Sequence, residues 1–231
     1  MARWQIRDRA ERAWPVLWKG VAVLWLASLL LVLPLRWLAP PTTAFMLQSD
    51  PDPARHHDWV DWEDISPHIA IAVVAAEDQK FPEHFGFDVG AIRSAIAHNK
   101  ERELPLGAST ISQQVAKNLY LWPGRSLVRK AIEAYLTVLI EVAWPKQRIL
   151  EIYLNVAELG PGVFGVGAAS ELYLDKPAVA VDPDEAALLA AVLPNPHLMS
   201  VARPSTYVID RADEIREQVR ALGATAYLHD L

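Results

Sequence analysis

The chain has 231 residues, of which 52% are hydrophobic, and a formal net charge of −6. That length holds a membrane anchor plus one domain with its own core, and the acid excess speaks against a nucleic-acid binder. Cysteine is absent, which excludes disulfides, thiol nucleophiles and cysteine-ligated zinc.

Residues 1–13 form a polar, basic tail in which Arg3, Arg7, Arg9 and Arg12 outweigh Asp8 and Glu11. Residues 14–38 are almost wholly apolar, and Val21 to Leu35 is broken only by Ser28. About 20 apolar residues cross a bilayer as a helix, so 14–38 is expected to be a transmembrane helix. Trp14, Trp18 and Trp37 take interfacial positions, with Lys19 and Arg36 snorkelling near the ends. A cleavable signal peptide is the rival reading. No small-x-small site follows the run, and Pro34-Leu35-Arg36-Trp37 suits cleavage poorly. The arginine excess before the span puts the N-terminus in the cytoplasm and the rest of the chain across the membrane.

Residues 39–61 carry Pro40, Pro41, Pro51 and Pro53 and read as a linker. His56-His57 offers metal-ligand chemistry but has no third ligand at a recognisable spacing. From Trp62 to the C-terminus the pattern is helical, and 62–231 is read as one mostly α domain. Ser66-Pro67 gives an N-cap and a proline at the first helical position. Ile69, Ala72, Val73 and Ala76 recur at helical spacing, which predicts one buried face. Further helices are expected over 89–99, 111–119, 126–142, 145–155, 182–193 and 206–222. Between the fourth and fifth of these lies a stretch with Gly160, Gly162, Gly165 and Gly167, which permits tight backbone next to packed helices. No segment alternates with period two.

Glu77 and Asp78 end the first domain helix, where the helix dipole disfavours acids. Working residues often break local rules, so the pair marks a candidate site. The plain alternative is a solvated helix end. Gly107-Ala108-Ser109-Thr110 then opens a helix whose N-terminus suits an anion. Gln113, Gln114, Lys117 and Asn118 can share one face of it, with Arg125 just beyond. Arg129 and Glu133 stand four apart on the next helix, with Lys130 beside them, amid Leu127, Val128, Ile132, Tyr135 and Leu136. A surface ion pair is the plain reading; charged groups lining a cleft is the other.

Taken together, these stretches resemble the family-51 glycosyltransferases, the peptidoglycan polymerases. The matches are Glu77-Asp78-x-x-Phe81-x-x-His84-x-Gly86-x-Asp88 and Gly107-x-Ser109-Thr110-Ile111-x-Gln113-Gln114-x-x-Lys117-Asn118. Arg129-Lys130-x-x-Glu133, Lys146-x-x-Ile149-Leu150-Glu151-x-Tyr153-Leu154-Asn155 and Leu188 through Pro196 follow. Neither the Ser-x-x-Lys nor the Lys-Thr-Gly motif of penicillin-binding proteins occurs, so the resemblance is to the monofunctional, biosynthetic type of Gram-negative bacteria.

The resemblance implies a mainly α, lysozyme-like domain on the periplasmic side of the bacterial inner membrane. It implies polymerisation of lipid II. The growing glycan on undecaprenyl diphosphate passes, with inversion, to the 4-hydroxyl of the incoming unit. Glu77 is implied as the base, and Glu133 as a second catalytic carboxylate of open role. Lys117, Arg125, Arg129 and Lys130 would stabilise the leaving diphosphate. Asp78, Phe81, His84, Ser109, Thr110, Gln113, Gln114 and Asn118 would shape the substrate site. A divalent cation, Mg or Mn, fits the diphosphate chemistry, although the sequence shows no ligand set for it. Other cell-wall synthesis or division proteins are the partners the resemblance suggests. Leu119-Tyr120-Leu121-Trp122 offers an apolar run for the bilayer interface, with core packing as the alternative. Two other functions stay open at this point. One is a lytic muramidase, which also uses paired carboxylates. The other is a membrane-anchored, non-catalytic assembly protein.

Overall fold

A computed structural model describes residues 18–50, 54–98, 109–124, 126–229 and 231. The basic tail, the start of the apolar run, Gly107, Ala108 and Arg125 lie outside the described residues. The chain divides into two compact units, 1–38 and 39–231.

In the first unit, helix α1 (Trp18–Arg36) has 19 residues and is long and apolar enough to cross a membrane. At 1.5 Å per residue it is about 28 Å long, close to the hydrocarbon thickness of a bilayer. Its last turn, Leu33–Arg36, is a 3-10 turn opened by Pro34. Leu24, Trp25 and Leu30 are exposed along it, as a lipid-facing helix requires.

The second unit begins at residue 39, so the stretch expected as a linker is part of the folded domain. Thr43 caps a short helix, α2 (Ala44–Gln48), by accepting from the Met46 N–H at 3.1 Å. Met46 is buried, and α2 packs on α5 (Ile111–Tyr120). Strand β1 (His56–His57) pairs parallel with β3 (Val163–Phe164), and β2 (Glu158–Gly160) pairs antiparallel with β3. This small three-stranded sheet, in the order β1-β3-β2, has no counterpart in the sequence expectations. Its strands are two or three residues long, too short for a period-two pattern to register.

Helices build the rest. Helix α3 (Pro67–Glu77) starts at the Ser66 N-cap as expected. Instead of one buried face, every residue from Ile69 to Ala75 is buried. A helix apolar all round belongs in the middle of a domain, and α3 lies against α9 (Pro183–Ala191) and α10 (Thr206–Ala221). Helix α4 (Val89–His98) follows, started by Asp88, whose Oδ1 accepts from the Ala91 N–H at 2.8 Å. A second cluster joins α5, α6 (Leu127–Ala143) and α7 (Lys146–Val156). Helix α8 (Val166–Leu174), also unanticipated, packs against the sheet, α7 and α9.

Asn155, fully buried on α7, ties the former linker down. Its Oδ1 accepts from the Val60 N–H at 2.8 Å, and its Nδ2 donates to the Val60 carbonyl at 2.8 Å. His57 Nε2 lies 3.1 Å from the Asn155 carbonyl. Gly165 sits against the same residue with φ +81, and a Cβ there would lie 2.5 Å from the Asn155 carbonyl oxygen. Only glycine fits this position.

Asn155→Ala leaves the Val60 N–H and carbonyl without their partner. A buried polar group left unpaired costs about 1–3 kcal/mol. The expected outcome is a lower urea midpoint and faster proteolysis between residues 54 and 61, measured on the full chain in detergent.

Candidate active site

Helix α3 delivers two carboxylates to its C-terminal end, and they point to different tasks. Asp78 is buried and turns towards the start of α5. Its Oδ2 accepts from the Ile111 N–H at 3.0 Å. His84 Nε2–H donates to the same carboxylate, 2.9 and 3.0 Å from its two oxygens. An acid at a helix N-terminus is favoured by the dipole, so α5 offsets what α3 opposes. Thr110 and Gln113 complete that end as a capping box. Thr110 also donates through Oγ1 to the Gly86 carbonyl at 2.7 Å. Gly86 has φ +77, and a Cβ there would sit 2.8 Å from Thr137 Cγ2.

Glu77 is partly buried and faces open space. It lines a cleft of about 830 Å3 with Ser109, Gln114, Lys117, Leu193, Pro194, Tyr207 and Arg211. Gln114 Nε2 donates to Glu77 Oε2 at 2.7 Å. Burial pushes the Glu77 carboxyl above the ordinary glutamate range; the Gln114 amide, Arg211 and Lys117 pull the other way, while Asp78 adds to the rise. A glutamate so raised has the proton affinity that a general base needs.

Lys117 stands on the same wall, its ammonium 5.0 Å from the centre of the Phe45 ring. Burial pushes its pKa down, against the pull of Glu133. Arg129 and Lys130 add to the lowering, and Glu77 opposes it. Gln114, Lys117, Leu193 and Pro194 also border a second space of about 270 Å3, which reaches Phe45, Asn118, Tyr153, Glu158 and His197. The cleft therefore continues past Lys117.

Glu133 is only 2% exposed. Arg129 Nη1 donates to its Oε2 at 2.7 Å, and Lys130 Nζ pairs with Oε1. Lys130 Nζ also reaches Ser109 Oγ on the cleft rim at 3.4 Å. Of the two readings of this triplet, the surface ion pair is excluded by the burial of Glu133. The pair of cations is held by one acid, leaving a net positive local charge.

The sequence-based site thus separates into groups. Glu77, Ser109, Gln114 and Lys117 meet in the cleft, and Asn118 borders its extension. Arg129, Lys130 and Glu133 stand together and reach the rim through Lys130. Asp78, His84, Thr110 and Gln113 form the support behind it. Gln113 does not share the face of Gln114 and Lys117, because its Oε1 accepts from the Thr110 N–H at 3.1 Å. Phe81 has no exposed surface. Its ring takes the Lys146 ammonium at 4.5 Å, and Lys146 pairs with Glu141 at 2.8 Å. Its role is packing beneath the site.

Several residues along the cleft and its extension were not read from the sequence, among them Tyr207, Asp210, Arg211 and Glu214 on α10 and Phe45 on α2. Arg211 on α10 pairs with Glu214 at 2.8 Å and donates through Nη2 to the Ala76 carbonyl at 3.4 Å. Phe45 lies in the supposed linker. Neither Arg211 nor Phe45 stands near a recognisable motif, and only packing brings the one to Glu77 and the other to Lys117. Among the described residues, no group of three His, Asp or Glu side chains is placed to hold a metal ion.

The transglycosylase family model matches residues 45–220. The chain belongs to the transglycosylase family. The match starts inside α2, as the extended folded unit requires. Among the relatives of this transglycosylase, a biosynthetic peptidoglycan transglycosylase of Ectopseudomonas mendocina is 52% identical over 215 residues, covering 90% of this chain and 89% of the relative. That of Pseudomonas fluorescens is 51% identical over 91% of each chain. One from Yersinia pestis is 48% identical, covering 91% of this chain and 90% of the relative.

Asp78→Asn keeps the shape but removes the charge facing His84 and the α5 N-terminus. Charge-assisted hydrogen bonds are worth roughly twice neutral ones. The expected result is a lower melting temperature by circular dichroism and a partial loss of activity. That loss should be smaller than for substitution of Glu77.

Proposed function

We propose that this chain is a peptidoglycan glycosyltransferase that polymerises lipid II. It transfers the growing glycan from its lipid diphosphate to the 4-hydroxyl of the incoming lipid II, with inversion. One observation carries the reading: a carboxylate, Glu77, and an ammonium, Lys117, both partly buried, face the same open cleft.

Glu77, as the carboxylate, accepts the proton of the attacking hydroxyl while that oxygen closes on the anomeric carbon. The bond to the lipid diphosphate breaks in the same displacement, and no covalent enzyme intermediate is needed. Lys117, with Arg129 and Lys130 behind it, offers positive charge where the leaving oxygen becomes negative. Glu133 holds Arg129 and Lys130 in place. Arg125 lies outside the described residues, and its part rests on the motif alone. A muramidase has no diphosphate to stabilise, so the cations favour the transferase.

Lipid-linked substrates fit the outer surface of α6. Its charges, Arg129, Lys130, Glu133 and Glu141, are all paired. Its outward face carries Leu127, Val128 and Val142, which are 90%, 69% and 71% exposed. Ile132, Tyr135 and Val138 lie along the same helix and are also exposed. A helix with acids inside and aliphatics outside suits an apolar surrounding better than water. The run Leu119 to Trp122 is less suited than expected, since Leu119 and Leu121 are buried and only Trp122 is strongly exposed. With α1 as anchor, these features support a membrane enzyme, and the arginine excess before the span adds the reading of a cytoplasmic N-terminus and a periplasmic domain at the inner membrane.

Polymerisation of fluorescent lipid II by the purified full chain tests the reading. Glu77→Gln should fold and lose roughly 10²- to 10⁴-fold in rate, the range for losing a general base. Near wild-type turnover by that variant sinks the base assignment. Release of reducing sugar from finished, lipid-free glycan would establish the muramidase instead.

The rate should be bell-shaped in pH. Glu77 works ionised, so activity falls as pH drops through its raised pKa. Lys117 works protonated, so activity falls again as pH rises through its lowered pKa. Lys117→Arg replaces the ammonium by a guanidinium that does not titrate, and the part of the basic limb due to Lys117 should disappear. Separately, a periplasm-active reporter fused after Leu231 should be active, and an inactive, well-expressed fusion reverses the topology.

A further inference from the structure

Behind Gln114 stands a buried phenol that the chemistry above does not use. Tyr153 on α7 is 1% exposed. Its hydroxyl donates to Gln114 Oε1 at 3.2 Å, and Gln114 Nε2 donates to Glu77 Oε2 at 2.7 Å. Three side chains from three helices therefore form one directed row, from hydroxyl to amide to carboxylate. Burial and the negative charges of Glu77 and Asp78 push the Tyr153 pKa well above the ordinary phenol value, so its proton stays available for donation.

An amide is nearly symmetric in shape but not in polarity. Rotated by half a turn, Gln114 would present Oε1 to Glu77 and Nε2 to Tyr153. That reversed row suits only a protonated Glu77, which can donate to Oε1. It also strands the Tyr153 proton, because Gln114 Oε1 is the hydroxyl's acceptor among the described residues. A buried donor without a partner is costly. We propose that Tyr153 is a positioning residue for Glu77: its buried hydroxyl sets the polarity of the Gln114 amide, so that Nε2–H faces the carboxylate. The row thereby favours the ionised base over its protonated form. The other charged groups facing Glu77 are Lys117 on α5, Asp210, Arg211 and Glu214 on α10 and the adjacent Asp78, while among the described residues the amide oxygen takes its hydrogen bond from Tyr153.

The inference rests on Glu77 being the base. The test is a pH profile of lipid II polymerisation by the full chain in detergent, with circular dichroism for folding. Tyr153→Phe removes only the hydroxyl. The acid limb should move up by about half to one pH unit, from the worth of one hydrogen bond. Below the limb this is a loss of about 3- to 10-fold, and the high-pH plateau should stay close to wild type. Gln114→Met, on the open cleft wall, removes the donor itself and should shift the limb in the same direction. Adding Tyr153→Phe to Gln114→Met should then move it no further, since the hydroxyl acts only through the amide. An unmoved limb in a folded Tyr153→Phe enzyme, with rate lost equally at all pH, overturns the inference and leaves a structural role. An equal further shift on the Gln114→Met background overturns it too. Failure of the base itself reads differently, as activity retained by Glu77→Gln.

Discussion

The backbone N–H of Ile111 donates to Asp78 Oδ2 at 3.0 Å, and this bond joins the end of one helix to the start of another. Helix α3 is the buried centre of its cluster and α5 the centre of the other. Asp78 closes the negative end of α3 on the positive end of α5, so two unfavourable termini cancel. Because Glu77 precedes Asp78, and Gln114 and Lys117 lie one and two turns into α5, the junction also fixes Glu77 against Gln114 and Lys117. The loop 79–88 is held in turn by His84 on Asp78 and by Gly86 under Thr110.

Charge on α6 is directed inward. Glu133 and Glu141 on α6 are buried, each with a cation, while aliphatic side chains face out. Burying an ion pair rarely adds stability in itself, because desolvation consumes the Coulombic gain. Here the arrangement places cations next to an open cleft and leaves an apolar exterior. Both suit a substrate with a diphosphate head and a lipid tail. The same low-dielectric surroundings push Glu77 up and Lys117 down, so the two groups are tuned by one cause.

Much of the site was legible because its residues lie on helices with clear punctuation. Ser66-Pro67, Thr110 with Gln113, Ser126 and Asp182-Pro183 each mark a helix start where the structure has one. The spacing of Glu77, Gln114, Lys117 and Glu133 along those helices carried the family resemblance. Less visible was the difference between working and supporting residues. Asp78 and Gln113 look like cleft groups in the motif, yet each is consumed by a backbone N–H. Proline-rich composition disguised residues 39–61 as a linker, because what folds them is Asn155, about a hundred residues away in sequence.

By itself the sequence determined the helical class, the apolar span and the acidic and basic residues of the site, since these follow from local periodicity, capping and composition. Tertiary structure alone decided which of them share a cleft. It buried α3 on every side, brought Arg211 and Phe45 to the walls beside Glu77 and Lys117, and set Tyr153 behind Gln114. These are contacts between residues far apart in the chain. Their energies depend on burial and on the orientation of single amides and hydroxyls, which no local pattern encodes.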